Sequence, residues 1–247
     1  MRFLHNVIGP DFDKADLVSF DFGDVDFIMR LPENSDRDGE KFLAPSDLTC
    51  ITDDQWDITG DSIKTLTLAK HRWVYKYDDP VNEIDSFLTD IYLVVKEIPA
   101  EKQTQPVPLN INTFSGWILE MMHHWIHLTV RDMPTGEPFE VVMKNWQAPA
   151  TVADMEIIKR DNLDWVVAPY GPIDNGPPVQ HICIPLNRKY FMMLMVETSK
   201  MYYADLADPF LDKEIELVEA QICDEFLSYI NIVYSPEILE AIKKQRS

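Results

Sequence analysis

Six consecutive residues, Phe191-Met192-Met193-Leu194-Met195-Val196, offer water no polar side. In an extended chain successive side chains point to opposite faces, so a strand of this composition must be covered both above and below. The run closes a longer stretch, Val179–Glu197. Its first apolar arm, His181–Ile184, is parted from the second by the turn-forming Pro185-Leu186-Asn187-Arg188-Lys189. The pattern predicts a β-hairpin whose second arm is the central strand of a sheet, on which the rest of the chain assembles.

Other segments supply partners for that strand. Leu17–Phe22 and Val25–Met29 flank Gly23-Asp24 and read as a hairpin, with Val18, Phe20 and Phe22 on one face and Val25, Phe27 and Met29 on another. Ser62–Tyr77 alternates, setting His71, Trp73, Tyr75 and Tyr77 opposite Lys70, Arg72, Val74 and Lys76. These cations are expected to answer carboxylates of the acidic N-terminal region. Val81–Ile98 mixes a helical stripe with the β-forming run Ile91–Val95, which predicts a short helix over Asn82–Leu88 and a strand over Asp90–Glu97. Ile126–Arg131 with Phe139–Trp146, and Met155–Arg160 with Asp164–Ala168, read as two further hairpins.

Three further helices are expected. Thr113–Trp125 sets Phe114, Trp117, Ile118, Met121, Met122 and Trp125 against Gly116, Glu120, His123, His124 and His127. Asp208-Pro209 is a helix start, followed by Ile215, Val218, Ile222, Phe226 and Tyr229 at helical spacing, with Glu214, Glu216, Glu219 and Asp224 expected outward. Asn231–Tyr234 reads as a final edge strand, and Ser235-Pro236-Glu237 caps a last helix. Strands joined by short turns rather than by alternating helices predict an α+β fold, a mainly antiparallel sheet with helices packed on one face. The proline-bearing stretch 99–109 parts an acidic segment, 1–98, from 110–247, as two subdomains of similar size or as one continuous domain.

Charge narrows the classes of function. The 247 residues carry a net charge of −20, concentrated at the two ends. Residues 1–60 hold fourteen acidic against five basic side chains, and 197–240 hold eleven against two. Such a chain is ill suited to nucleic acid or to an anionic membrane surface, where Lys and Arg must meet phosphates, and it suits a basic protein partner. Cys50, Cys183 and Cys223 are an odd, widely spaced set without a CxxC pair, which fits a reducing compartment. No signal-peptide pattern opens the sequence, so a cytoplasmic protein is expected. The six tryptophans serve either as core or, if exposed, as aromatic anchors for a basic partner.

Motifs for chemistry are sparse. Glu120, His123 and His127 fall three and four residues apart on a helix, so they project from one surface and offer three ligands to a divalent metal whose bound water would be acidified. The HExxH pattern is absent. Asn34–Gly39 imitates the first half of a calcium loop, but Pro45 stands where the bidentate Glu belongs. There is no GxSxG, no P-loop and no GxGxxG. Two readings follow. The first is a non-enzymatic cytoplasmic binding module of inhibitor, immunity or adaptor type that uses an acidic surface. The second is a metal-dependent hydrolase on the Glu120–His127 helix. Self-association into a homo-oligomer is a third outcome that the composition allows.

Overall fold

The computed structural model describes residues 7–33, 42–49, 55–58, 63–77, 85–103, 110–132, 138, 141, 144–160, 163–172, 178–200 and 209–246. The strands are β1 (Val7–Ile8), β2 (Asp16–Asp21), β3 (Val25–Leu31), β4 (Phe42–Leu43), β5 (Asp57–Ile58), β6 (Lys64–Tyr77), β7 (Asp85–Glu97), β8 (Trp146–Gln147), β9 (Glu156–Arg160), β10 (Leu163–Pro172), β11 (Val179–Pro185), β12 (Tyr190–Lys200) and β13 (Ile230–Tyr234). The helices are α1 (Ala100–Gln103), α2 (Ile111–Asp132), α3 (Pro209–Ser228) and α4 (Pro236–Arg246).

Ten strands form one antiparallel sheet, whose path runs β1-β6-β7-β12-β11-β10-β8, with β4 and β5 also on β6 and β9 also on β10. The apolar strand β12 lies in the middle, paired with β11 on one edge and with β7 on the other from Tyr190↔Glu97 to Lys200↔Phe87. Segments before and after residues 99–109 therefore share one sheet, and one apolar cluster joins Phe20, Trp73 and Val95 to Leu194 and Phe226. Within 99–109, Ala100–Gln103 forms a helical turn, and 104–109 lie outside the described residues.

The fold is α+β, but its helices cover both faces of the large sheet rather than one. Met192, Leu194 and Val196 pack with Ile215, Val218, Ile222 and Phe226 of α3 and with the small sheet β13-β3-β2. The alternate residues Phe191 and Met193 pack with Phe114, Trp117, Ile118 and Met121 of α2. A strand with no polar side demands this two-sided cover.

Local chemistry sets several boundaries. Gly23 takes φ 86° in the turn between β2 and β3, where the Asp21 carboxylate accepts its N–H at 2.6 Å. The register Phe20↔Phe27 and Val18↔Met29 puts the two apolar rows of this hairpin on the same face, not on different ones. The Asn187 side chain accepts the N–H groups of Lys189 and Tyr190, each at 2.8 Å, and donates to Asp24 at 2.8 Å, which ties the β11–β12 turn to the β2–β3 turn. Asn110 caps α2 by accepting from the N–H groups of Asn112 and Thr113, so the helix starts at Ile111.

Two further expectations are corrected. Ile126–Arg131 continues α2 instead of forming a strand: Ile126 is fully buried four residues after Met122, and Thr129 bonds back to the Trp125 carbonyl at 3.0 Å within the helix. The partner segment 139–140 and 142–143 lies outside the described residues, and only Trp146–Gln147 forms a short strand there. Asp85–Leu88 is strand, not helix, because pairing with β6 and β12 overrides a weak helical stripe; 82–84 are outside the described residues. Arg72 meets Asp90 bidentately at 2.7 and 2.9 Å and Lys64 meets Glu97 at 3.8 Å, both carboxylates lying on the adjacent strand β7.

Leu194→Ala is expected to lower unfolding stability by about 3 kcal/mol, because the site is fully buried between two paired strands. Leu17→Ala, at a position 68% exposed on an edge strand, should change it by less than about 0.5 kcal/mol. Urea titrations of both variants measure the contrast, and equal costs would deny β12 its central role.

Candidate functional site

The metal-ligand candidates lie on the outer surface of α2. Glu120 and His127 are exposed, and His123 is part-buried with its Nε2 at 2.9 Å from the Pro149 carbonyl. Among the described residues no three His, Cys, Asp or Glu side chains group as a metal centre, these three included. The calcium-like segment 34–39 and Cys50 lie outside the described residues. Cys183 and Cys223 are free, buried thiols, and burial pushes both well above the usual thiol range. His181 is likewise a core residue, lowered to about 4 by burial and so neutral. No tryptophan is exposed: Trp73, Trp117 and Trp165 are buried, and Trp56, Trp125 and Trp146 are half-buried. Trp125 carries the Lys96 ammonium at 4.9 Å from its ring centroid.

The more informative place is one the sequence reading had turned outward. Glu219 is only 3% exposed. It stands four residues after Ile215 and three before Ile222, so helical geometry puts it on the apolar stripe of α3. That spacing is the available signal, and it outweighs the charge that sets Glu219 with Glu214, Glu216 and Asp224 on the expected outer face.

Glu219 lines a cleft of about 590 Å³ between α3 and the strands β9, β10 and β11. Ile158, Val167, Pro169 and Ile182 give the cleft an apolar floor. Carboxylates stand on both walls, Asp154 and Glu156 on one and Glu216, Glu219 and Asp224 on α3. Among the described residues lining it, none is Lys or Arg. Asp154 accepts the N–H and hydroxyl of Thr151 at 2.8 and 2.9 Å in a capping box, which holds its carboxyl below the usual range. Asp224 is gripped from outside the lining by Arg160, at 2.8 Å to Oδ1 and 2.6 Å to its backbone carbonyl.

Glu219 itself is incompletely satisfied. Its Oε1 is buried without a hydrogen-bond partner, and the neighbouring Gln180 side chain, whose Nε2 donates to the Pro178 carbonyl at 3.3 Å, is the one polar group among the described residues that favours its ionised form. Burial pushes it up to about 8, with the negative charges of Glu197 and Glu216 adding to the shift. At neutral pH this is a protonated acid inside an acidic cleft. Comparison of the chain with protein-family models, with curated proteins and with solved structures gives no match.

Glu219 and His181 act oppositely on stability. Unfolded, Glu219 releases its proton near 4.5, but native Glu219 holds it to about 8, so stability falls as pH rises through that window. His181 is neutral in the native state down to about 4, whereas the unfolded chain takes up a proton below 6.5, so stability rises with pH across 4 to 6.5. Between pH 6.5 and 8 the Glu219 effect stands alone. There the wild type is expected to lose stability relative to Glu219→Gln by about 1.4 kcal/mol per pH unit. Urea midpoints at the two ends of the window report this difference, and parallel behaviour of the two proteins would mean that Glu219 ionises normally.

Proposed function

We propose that the chain is a non-enzymatic protein-binding module that uses its acidic surface to engage a basic protein, as an inhibitor, immunity or adaptor protein does. The observation that carries this reading is the cleft beside α3, where carboxylates on both walls face an apolar floor and no described lining residue is cationic. Concentrated charge of one sign in a concave, partly apolar site raises the local density of oppositely charged groups and speeds their encounter. The two acidic blocks of the sequence, 1–60 and 197–240, add net negative charge that favours a basic partner. Because no tryptophan is exposed, charge and shape at the cleft, not aromatic anchors, support the partner. Free thiols at Cys183 and Cys223 are compatible with the reducing cytoplasm that this role assumes. No described helix is long and apolar enough to cross a membrane.

The exposed wall residues Glu156 and Glu216 provide the test. Immobilised wild type should capture a basic protein, identifiable by mass spectrometry, that elutes as salt approaches about 0.5 M, where screening shortens the reach of surface charge. The double variant Glu156→Lys/Glu216→Lys should fail to hold the same protein. Capture that ignores both salt and charge reversal would defeat the reading.

The second reading, a metal-dependent hydrolase on Glu120, His123 and His127, finds no supporting geometry, since the three do not group and His123 is turned to Pro149. Metal analysis of the purified wild type and of His123→Ala/His127→Ala is expected to give equal contents. Stoichiometric zinc, iron or manganese lost with the histidines would put the hydrolase reading first.

A further inference from the structure

We propose that the cleft seats the ammonium group of a lysine side chain carried by the basic partner, with Glu219 as the anchoring carboxylate. The inference rests on the protein-binding reading and narrows it to one chemical group. Three features select an ammonium on an aliphatic stem. First, the floor of Ile158, Val167, Pro169 and Ile182 suits a four-carbon stem, which lies along apolar surface while its charged head reaches a polar site. Second, Glu219 holds one oxygen, Oε1, out of water and without a hydrogen-bond partner, with the Gln180 side chain beside the carboxyl. A guanidinium binds best as a fork on both oxygens of a carboxylate, whereas an ammonium is a compact point charge satisfied by one. Third, the surrounding Asp154, Glu156, Glu216 and Asp224 hold a negative potential that no described lining cation offsets, and Arg160 stays outside, committed to Asp224.

The occupant is a protein segment rather than a small free amine. A volume of about 590 Å³ exceeds what one lysine side chain fills and leaves room for its chain neighbours. The net charge of −20 draws an extended basic surface more strongly than a small amine, which presents few charges.

The seat also responds to pH. A neutral Glu219 does not attract a cation, so a lysine must displace its proton. The groups facing Glu219 are Glu216 and Cys223 on α3, Glu197 on β12 and Gln180 on β11, with Asp154 and Glu156 across the cleft. The carboxylates among them oppose ionisation of Glu219, and an incoming ammonium relieves that opposition. Binding is therefore expected to tighten as pH rises towards 8.

Titration calorimetry of the full-length chain with a hexalysine peptide tests this. Hexa-arginine and spermidine serve as comparison probes, and His124→Gln, an exposed position of α2 against the other face of the sheet, as the control. Wild-type affinity for hexalysine should rise between pH 6 and 8.5 by up to about tenfold per unit. Titrations in buffers of different ionisation heat should show release of a proton. Glu219→Gln should remove this pH dependence and weaken binding about fivefold or more at pH 8.5, with His124→Gln unchanged. Hexa-arginine and spermidine should bind more weakly than hexalysine. Ala220→Lys, which puts the chain's own ammonium at the cleft, should block the peptide, and this variant keeps the test open if Glu219→Gln folds poorly. Equal binding by Glu219→Gln and wild type at pH 8.5 overturns the lysine seat but spares the basic-partner reading. So does hexa-arginine or spermidine binding as tightly as hexalysine. Failure of the wild type to bind any of the three polycations overturns both.

Discussion

Pairing of β12 with β7 and β11 is the interaction on which the rest of the architecture depends. From Tyr190 to Lys200 one edge of β12 is matched to β7, and from Phe191 to Val196 the other is matched to β11. Backbone polar groups flanked by apolar side chains on both faces have no water to turn to, so the ladder must be complete on both edges. Once it is, the side chains above and below form two separate apolar surfaces. One is closed by α2, and the other by α3 together with the small sheet.

The cleft is a by-product of that second closure. The stripe of α3 that covers β12 consists of Ile215, Val218, Ile222 and Phe226, while the face of β9, β10 and β11 beside it keeps Ile158, Val167 and Ile182 as a floor. Glu219 sits on the stripe where the helix meets this floor. Burial of a carboxyl with one oxygen unpartnered is costly, and the chain meets the cost by protonating it. The fold loses stability through this residue, and the lysine seat proposed above gives its position a use.

Where the sequence was transparent, one physical demand dominated. The run Phe191–Val196 could only be an interior strand, and the alternation of His71, Trp73 and Tyr75 could only be a strand with a buried face. Where it was opaque, two demands competed. Ile126–Arg131 is rich in β-formers, yet it continues α2 because Ile126 extends the stripe begun at Phe114. Asp85–Leu88 fits a helix in isolation and becomes strand because two neighbours pair with it. At the cleft, charge was read before position: Glu219 obeys the helical period and breaks the rule that acids face solvent. The opposite wall could not be foreseen at all, since Asp154 and Glu156 meet α3 only through the topology of the sheet.

The β7–β12 ladder also orders events during synthesis. Phe87–Glu97 can pair with β6 as soon as it emerges, but its other edge waits for Tyr190–Lys200, about a hundred residues later in the chain. At bacterial or eukaryotic elongation rates that interval is roughly 5–20 s, during which Ile91, Leu93 and Val95 border an open ladder. An exposed apolar edge recruits other strands unless charges interrupt it, and Asp90, Lys96 and Glu97 fall within this one. In the nascent chain these three residues are guards of an unfinished sheet. Asp90 meets Arg72 as soon as β6 and β7 pair, and Lys96 reaches Trp125 once α2 has followed, whereas Glu97 is matched to Tyr190 only when β12 arrives.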